Sequence, residues 1–236
     1  MGPDGRQTSH ARRGVSVRRW IGRRIGRRIG RRTVVLGVLA VTVIGGAAAA
    51  PVLLRSTGRH MATQPPLQRA DIAAVTPESG VAGELEALEL LESATVSRIV
   101  VLAAAKDRLD REMERRGLNL DALQLQRLRD LGAPMDRTTL VRAGEGGTQA
   151  VAMTLADWPA DAPSGRMLVI TGAAHARRVS RVIRRYWRGP EDPPAVRISR
   201  FDTFEAERWW QERRSLRQGL VEIQKLVLDY VRHPLN

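Results

Sequence analysis

The longest uninterrupted apolar stretch lies near the start of the chain. Residues 33–54, TVVLGVLAVTVIGGAAAAPVLL, carry no charged side chain in 22 positions. At about 1.5 Å per residue a helix of that length spans about 33 Å, enough for a hydrocarbon core of about 30 Å. The pattern predicts one transmembrane helix. Residues 55–80 follow with Pro65, Pro66 and Pro77 among Gly, Ser, Thr and Gln, and read as a linker.

Beyond residue 80 the apolar pattern switches repeatedly between two periods. Residues 83–93 place Leu85, Leu88, Leu90 and Leu91 among glutamates, as in a short amphipathic helix. Residues 98–103, RIVVLA, form a continuous β-branched and apolar run, the signature of a strand covered on both faces. Helices are predicted over 106–116 and over 120–131, the second ended by Gly132 and Pro134. A strand over 138–142 and a helix over 148–157 come next, then the strand 167–171, MLVIT. The helix 175–188 stops at Gly189 and Pro190, a strand covers 195–200, and 205–231 is largely helical. Within that last stretch Trp209 and Trp210 open the helix, and Leu216, Leu220, Ile223, Leu226, Val227 and Tyr230 form a stripe that docks on the sheet. Strands separated by helices predict an α/β, Rossmann-like three-layer domain over 81–236, with a mostly parallel sheet.

Charge changes this picture at one end only. The formal net charge is +14, and residues 1–32 supply +10 of it through eleven Arg against Asp4. The remaining chain has 28 basic and 24 acidic residues. Residues 21–32 repeat Ile-Gly-Arg-Arg three times, directly before the apolar run. A basic arm in that position favours anionic lipid headgroups over nucleic acid. The positive-inside rule then places the arm in the cytoplasm and residues 55–236 outside, on a single-pass protein of the cell membrane. A removed export signal is the alternative, since Ala48, Ala49 and Ala50 are small. Pro51 and the apolar residues 52–54 argue for an uncleaved anchor.

The chain has no Cys, which excludes disulfides, thiolate metal sites and a cysteine nucleophile. Its four His, at 10, 60, 175 and 233, show no metal-ligand spacing. No metal or cofactor is implied. The informative stretch is Thr171-Gly172-Ala173-Ala174-His175-Ala176-Arg177-Arg178, which leaves a buried strand and opens a helix. Ligands of open α/β sheets sit at such strand ends, and a helix N-terminus offers N–H groups to an anion. His175 is the candidate general acid or base, with Arg178 beside it. Arg177, Arg181, Arg184 and Arg188 read as a solvated basic face. The Gly144–Thr148 loop is a second candidate at the same sheet edge, where Thr148 binds ligand or caps its helix. Glu222 and Lys225, three apart, are placed to pair on the surface of the last helix.

The segments MLVITGAAHARRVSRVIRRYW and FDTFEAERWWQERRSLRQGLVEIQKLVLDYV resemble the YdcF/SanA/ElyC family of bacterial envelope proteins. The resemblance rests on Thr171, His175, Arg178, Trp209, Trp210, Glu222 and Lys225, and is specific over 166–231. It implies a Rossmann-like domain behind a membrane helix, with roles in cell-wall assembly or lipid-carrier metabolism. The implied ligand is an anionic, phosphate-bearing lipid carrier or cell-wall precursor, held at Thr148, Thr171, Gly172, His175 and Arg178. Two departures stand out: Val151 replaces an acidic residue three after Thr148, and Gly172 replaces a serine. The family's first strand also runs into a Gly-rich loop, where Leu102-Ala103-Ala104-Ala105 stands here. The readings left open are therefore a binding protein, a hydrolase or transferase using His175, and an interaction protein with a degenerate site.

Overall fold

The computed structural model describes residues 34, 36, 49–158, 166–189 and 192–234. The chain divides into two compact units, Met1–Pro51 and Val52–Asn236. In the first, the described residues 34, 36 and 49–51 are helical. The basic arm and most of the predicted span 33–54 lie outside the described residues. Among those described, no helix is long and apolar enough to cross a membrane.

The second unit opens with helical residues 52–61, here α1. Five strands follow in chain order: β1 Ile72–Val75, β2 Arg98–Ala103, β3 Thr138–Arg142, β4 Met167–Thr171 and β5 Ala195–Ile198. They form one sheet in the order β3-β2-β1-β4-β5. Every pairing is parallel. The helices are α2 Gly80–Glu92, α3 Arg108–Arg115, α4 Leu120–Asp130, α5 Thr148–Ala156, α6 Ala176–Tyr186 and α7 Arg213–Arg232. The architecture is α/β with a Rossmann-like parallel sheet flanked by helices, as the alternating pattern predicts.

Alternation along each strand builds two cores. Ile72, Ala74, Val100, Leu102 and Val169 face α5 and α6. Ala73, Val75, Val101, Leu168 and Ile170 face α2 and α4, where Leu128 is fully buried. Parallel strands covered on both faces need apolar side chains at every position, which is why β2 and β4 read as unbroken runs.

The central strand is the one the sequence hides. β1 lies within the stretch 55–80 that reads as a linker, which also contains α1 through residue 61. It has four residues, IAAV, all buried, and Pro77 follows it closely. Two alanines give little β signal, yet at the sheet centre small side chains let helices approach from both sides. Its neighbours are Val100 of β2 and Val169 of β4, both in register with Ala74. The chain therefore reverses its direction of growth between β1 and β4, and the crevice at their carboxyl ends is the switch point where ligands of such sheets bind.

The last predicted helix starts later than its pattern suggests. Residues 206–212 form turns, and α7 begins at Arg213. Trp209 is 1% exposed in a third cluster with Met61, Ala173, Ala174 and Phe204. Its indole Nε1 donates to the Leu54 carbonyl at 2.8 Å, which fastens α1 to the domain. A regular helix through 205–212 would not turn that ring inward.

Candidate functional site

β4 ends at Thr171, which is fully buried and hydrogen-bonded through its hydroxyl to Thr76 at the end of β1, 3.0 Å away. The two threonines tie the strands together at the switch point. Gly172, Ala173 and Ala174 then turn the chain into α6. This turn is closed rather than open to a ligand. Ala173 and Ala174 are buried in the tryptophan cluster. A Cβ on Gly172 would stand 3.1 Å from Asp202 Oδ2 and 3.3 Å from the His175 ring. The anion at this helix end is the chain's own: the Ala173 N–H donates to Asp202.

His175 is the N-cap of α6, and its side chain makes no cap hydrogen bond. The ring instead turns toward α7. Nδ1 lies 3.2 Å from Glu222 Oε2, though out of line for a well-formed hydrogen bond. On the other edge, Nε2 is 3.3 Å from the Gln218 amide nitrogen. A carboxylate at Nδ1 and an amide donor at Nε2 both favour the tautomer with its proton on Nδ1. Nε2 is then the basic nitrogen.

Glu222 stands at the centre of this arrangement and is 2% exposed. Arg178 Nε donates to Oε2 at 2.7 Å, and Lys225 Nζ to Oε1 at 2.8 Å. Burial alone would raise the carboxyl's pKa. The hydrogen bonds and charges of His175 and Arg178 override it and hold the group far below the ordinary carboxylate range. The predicted Glu222–Lys225 pair exists, but Glu222 is an interior anion rather than a surface one.

Arg178 carries the network to the sheet edge. Its Nη1 donates to Thr148 Oγ1 at 2.5 Å, and Thr148 in turn donates to Glu78 Oε1 at 3.1 Å. The Thr148 hydroxyl is thus a bridge and not a cap; the N-cap of α5 is Gly147, whose φ of +59° suits a residue without Cβ. An unbroken polar chain runs from Glu78, after β1, through Thr148, Arg178 and Glu222 to His175.

Of the predicted site residues, Thr171 and Gly172 are sealed at the sheet end, and Thr148 and Arg178 are engaged inside the network. His175 opens onto a cleft. That cleft, about 860 Å³, is lined otherwise by α7 and the residue before it, including Arg213, Arg214, Arg217 and Gln218. The three arginines are exposed, and none makes an ion pair among the described residues. Their spacing of three and four along one helix is the signal by which the sequence could have shown them. The basic face predicted for α6 is only partly solvated. Arg181 is buried, bonded to Asp229 at 2.8 Å and packed 3.8 Å from the Tyr230 ring centre.

No protein-family model matches the chain, and neither a curated protein nor a solved structure is significantly similar to it.

Proposed function

We propose that this chain is a YdcF-like envelope protein, held in the cell membrane by residues 33–54, whose outward domain binds a phosphate-bearing lipid carrier or cell-wall precursor. The observation that carries the ligand reading is the cleft at His175. Arg213, Arg214 and Arg217, without ion pairs among the described residues, line it with His175, Glu212 and the Glu222–Lys225 pair, and that excess of cations favours an anion with several oxygens. The ligand's phosphate meets the arginines of α7, and its P–OH donates to His175 Nε2, while Asp202 occupies the α6 terminus itself.

A second reading has its own observation. Glu222 beside Nδ1 and a basic Nε2 at the cleft, 3.3 Å from the Gln218 amide nitrogen, form the pair used in general acid–base chemistry. A hydrolase or transferase would use Nε2 to take a proton from water or a hydroxyl as that oxygen attacks phosphorus. The proton then passes to the leaving oxygen.

Both readings are separated by His175→Ala in the full chain, with a short polyprenyl phosphate and the matching pyrophosphate as probes. The binding reading expects saturable binding of both, weakened about tenfold or more by the loss of a charge-assisted contact, with no phosphate released. Phosphate release by the wild type that His175→Ala abolishes, with binding kept, would establish the second reading. Equal weak binding by both proteins, sensitive only to salt, would reject both and leave an interaction protein with a degenerate site.

A further inference from the structure

The apolar stripe of α7 does not dock entirely on the domain. Leu226 and Glu222 face inward, but Leu220, Val221, Val227, Leu228 and Val231 are between 41% and 74% exposed. At about 100° per residue these five fall within about 60° of a single outward direction. Nothing among the described residues covers them.

The charges beside this stripe have one sign. Arg214, Lys225 and Arg232 run along one flank, and Arg213 and Arg217 continue the outward face toward the start of the helix. Both acids of α7, Glu222 and Asp229, point inward and are neutralised there by Arg178, Lys225, Arg181 and Arg185. An outward face with five aliphatic side chains and four arginines, flanked by Lys225 on its way to Glu222, is the composition of a helix that lies in a membrane interface. A second copy of the chain is disfavoured, since pairing two such faces would bring cations together with no acid to meet them.

We propose that the outward face of α7 rests on an anionic lipid surface, so that the cleft at His175 opens at the level of the headgroups. This rests on the reading of the protein as a membrane-anchored binder of a lipid-linked phosphate, and deepens it. α1 is held to the domain where Trp209 donates to Leu54, and Trp209 packs against Gly219 of α7. The cations that line the cleft, Arg213, Arg214, Arg217 and Lys225, are also those on the outward side of the helix. A lipid headgroup at the interface therefore reaches His175 without its acyl or prenyl tail leaving the bilayer.

The test uses the full chain in vesicles of phosphatidylcholine, alone or mixed with phosphatidylglycerol. The absence of native Cys allows a single environment-sensitive fluorophore at Leu228→Cys, with Arg129→Cys on the exposed side of α4 as reference. In anionic vesicles the label at 228 is quenched by doxyl-labelled lipids and shielded from iodide, whereas that at 129 is open to iodide. Adding Arg214→Glu and Arg232→Glu lowers the lipid quenching at 228 by about tenfold or more, because each cation near an anionic surface contributes independently. Equal exposure of 228 and 129 to iodide in anionic vesicles overturns the proposal. So does shielding that is indifferent to lipid charge and accompanied by 228–228 cross-links, which would show a second copy on this face. Alkaline carbonate extraction reads the anchor separately. A chain that is extracted yet still shows lipid quenching at 228 when vesicles are added back refutes the anchor and keeps α7 on the surface.

Discussion

Glu222 keeps its charge inside the protein because His175, Arg178 and Lys225 converge on its two oxygens. Its folded pKa lies below the ordinary 4.5, so the unfolded chain binds the proton more readily. The stability it contributes is complete above the ordinary carboxylate range and is lost as pH falls below it. Asp229, which burial would raise but Arg185 and Arg181 draw downward, acts in the same sense. Glu222→Gln leaves the nearly buried Arg178 short of its anion, and we expect a loss of about 3 kcal/mol at neutral pH. Its stability should also fall less steeply than the wild type's between pH 5 and pH 3. Denaturant titrations across that range check both points; parallel pH profiles would show that Glu222 does not titrate as its surroundings require. None of this was legible one residue at a time. The pattern marked Glu222 and Lys225 as a surface i, i+3 pair and turned Leu220 and Val227 inward, whereas Glu222 is buried and those two are exposed.

At the scale of elements, α7 meets two neighbours and leaves a third side open. Its inner side carries Glu222 to His175, its outer side is apolar and cationic, and its start packs against Trp209. Gly219 makes the last contact feasible, because a Cβ there would stand 2.7 Å from the Trp209 ring at Cζ3. That ring is held by its bond to Leu54 and by stacking on Phe204, with centroids 6.4 Å apart, so it has little room to yield. Gly219→Ala should therefore cost about 2–3 kcal/mol as overpacking, although alanine is the better helix former. Equilibrium urea unfolding measures it. A neutral or stabilising result would mean that the indole can move, and with it the attachment of α1. The helix boundary at Arg213 and the turns before it follow from the same tryptophan, which a 3.6-residue period cannot anticipate.

At the scale of the molecule, the proposed orientation is decided by a labelling experiment on cells. Arg129→Cys places one thiol on an exposed position of α4, away from the cleft. A membrane-impermeant maleimide should label it in intact cells. Labelling only after lysis would put the domain in the cytoplasm and turn the search from lipid-linked phosphates to soluble nucleotides. The polar chain from Glu78 to His175 spans the switch point in either case, and it joins residues 78, 148, 175, 178 and 222, which no local window contains.

The sequence by itself determined the alternation of strands and helices, the parallel sheet, and the bounds of β2, β3 and β4. It could do so because strands buried on both faces must be apolar throughout, and that demand is local. It also singled out His175 and Arg178, since a strand end followed by a helix start is a sequential feature. Only the tertiary structure decided that IAAV is the central strand, because a four-residue run with two alanines qualifies as a core strand only through the neighbours on either side. It alone decided that the α6 terminus is filled by Asp202, that Glu222 is the partner of His175, and that α7 faces solvent with its aliphatic residues. These are choices among faces and distant partners, set by packing across the fold rather than by any run of adjacent residues.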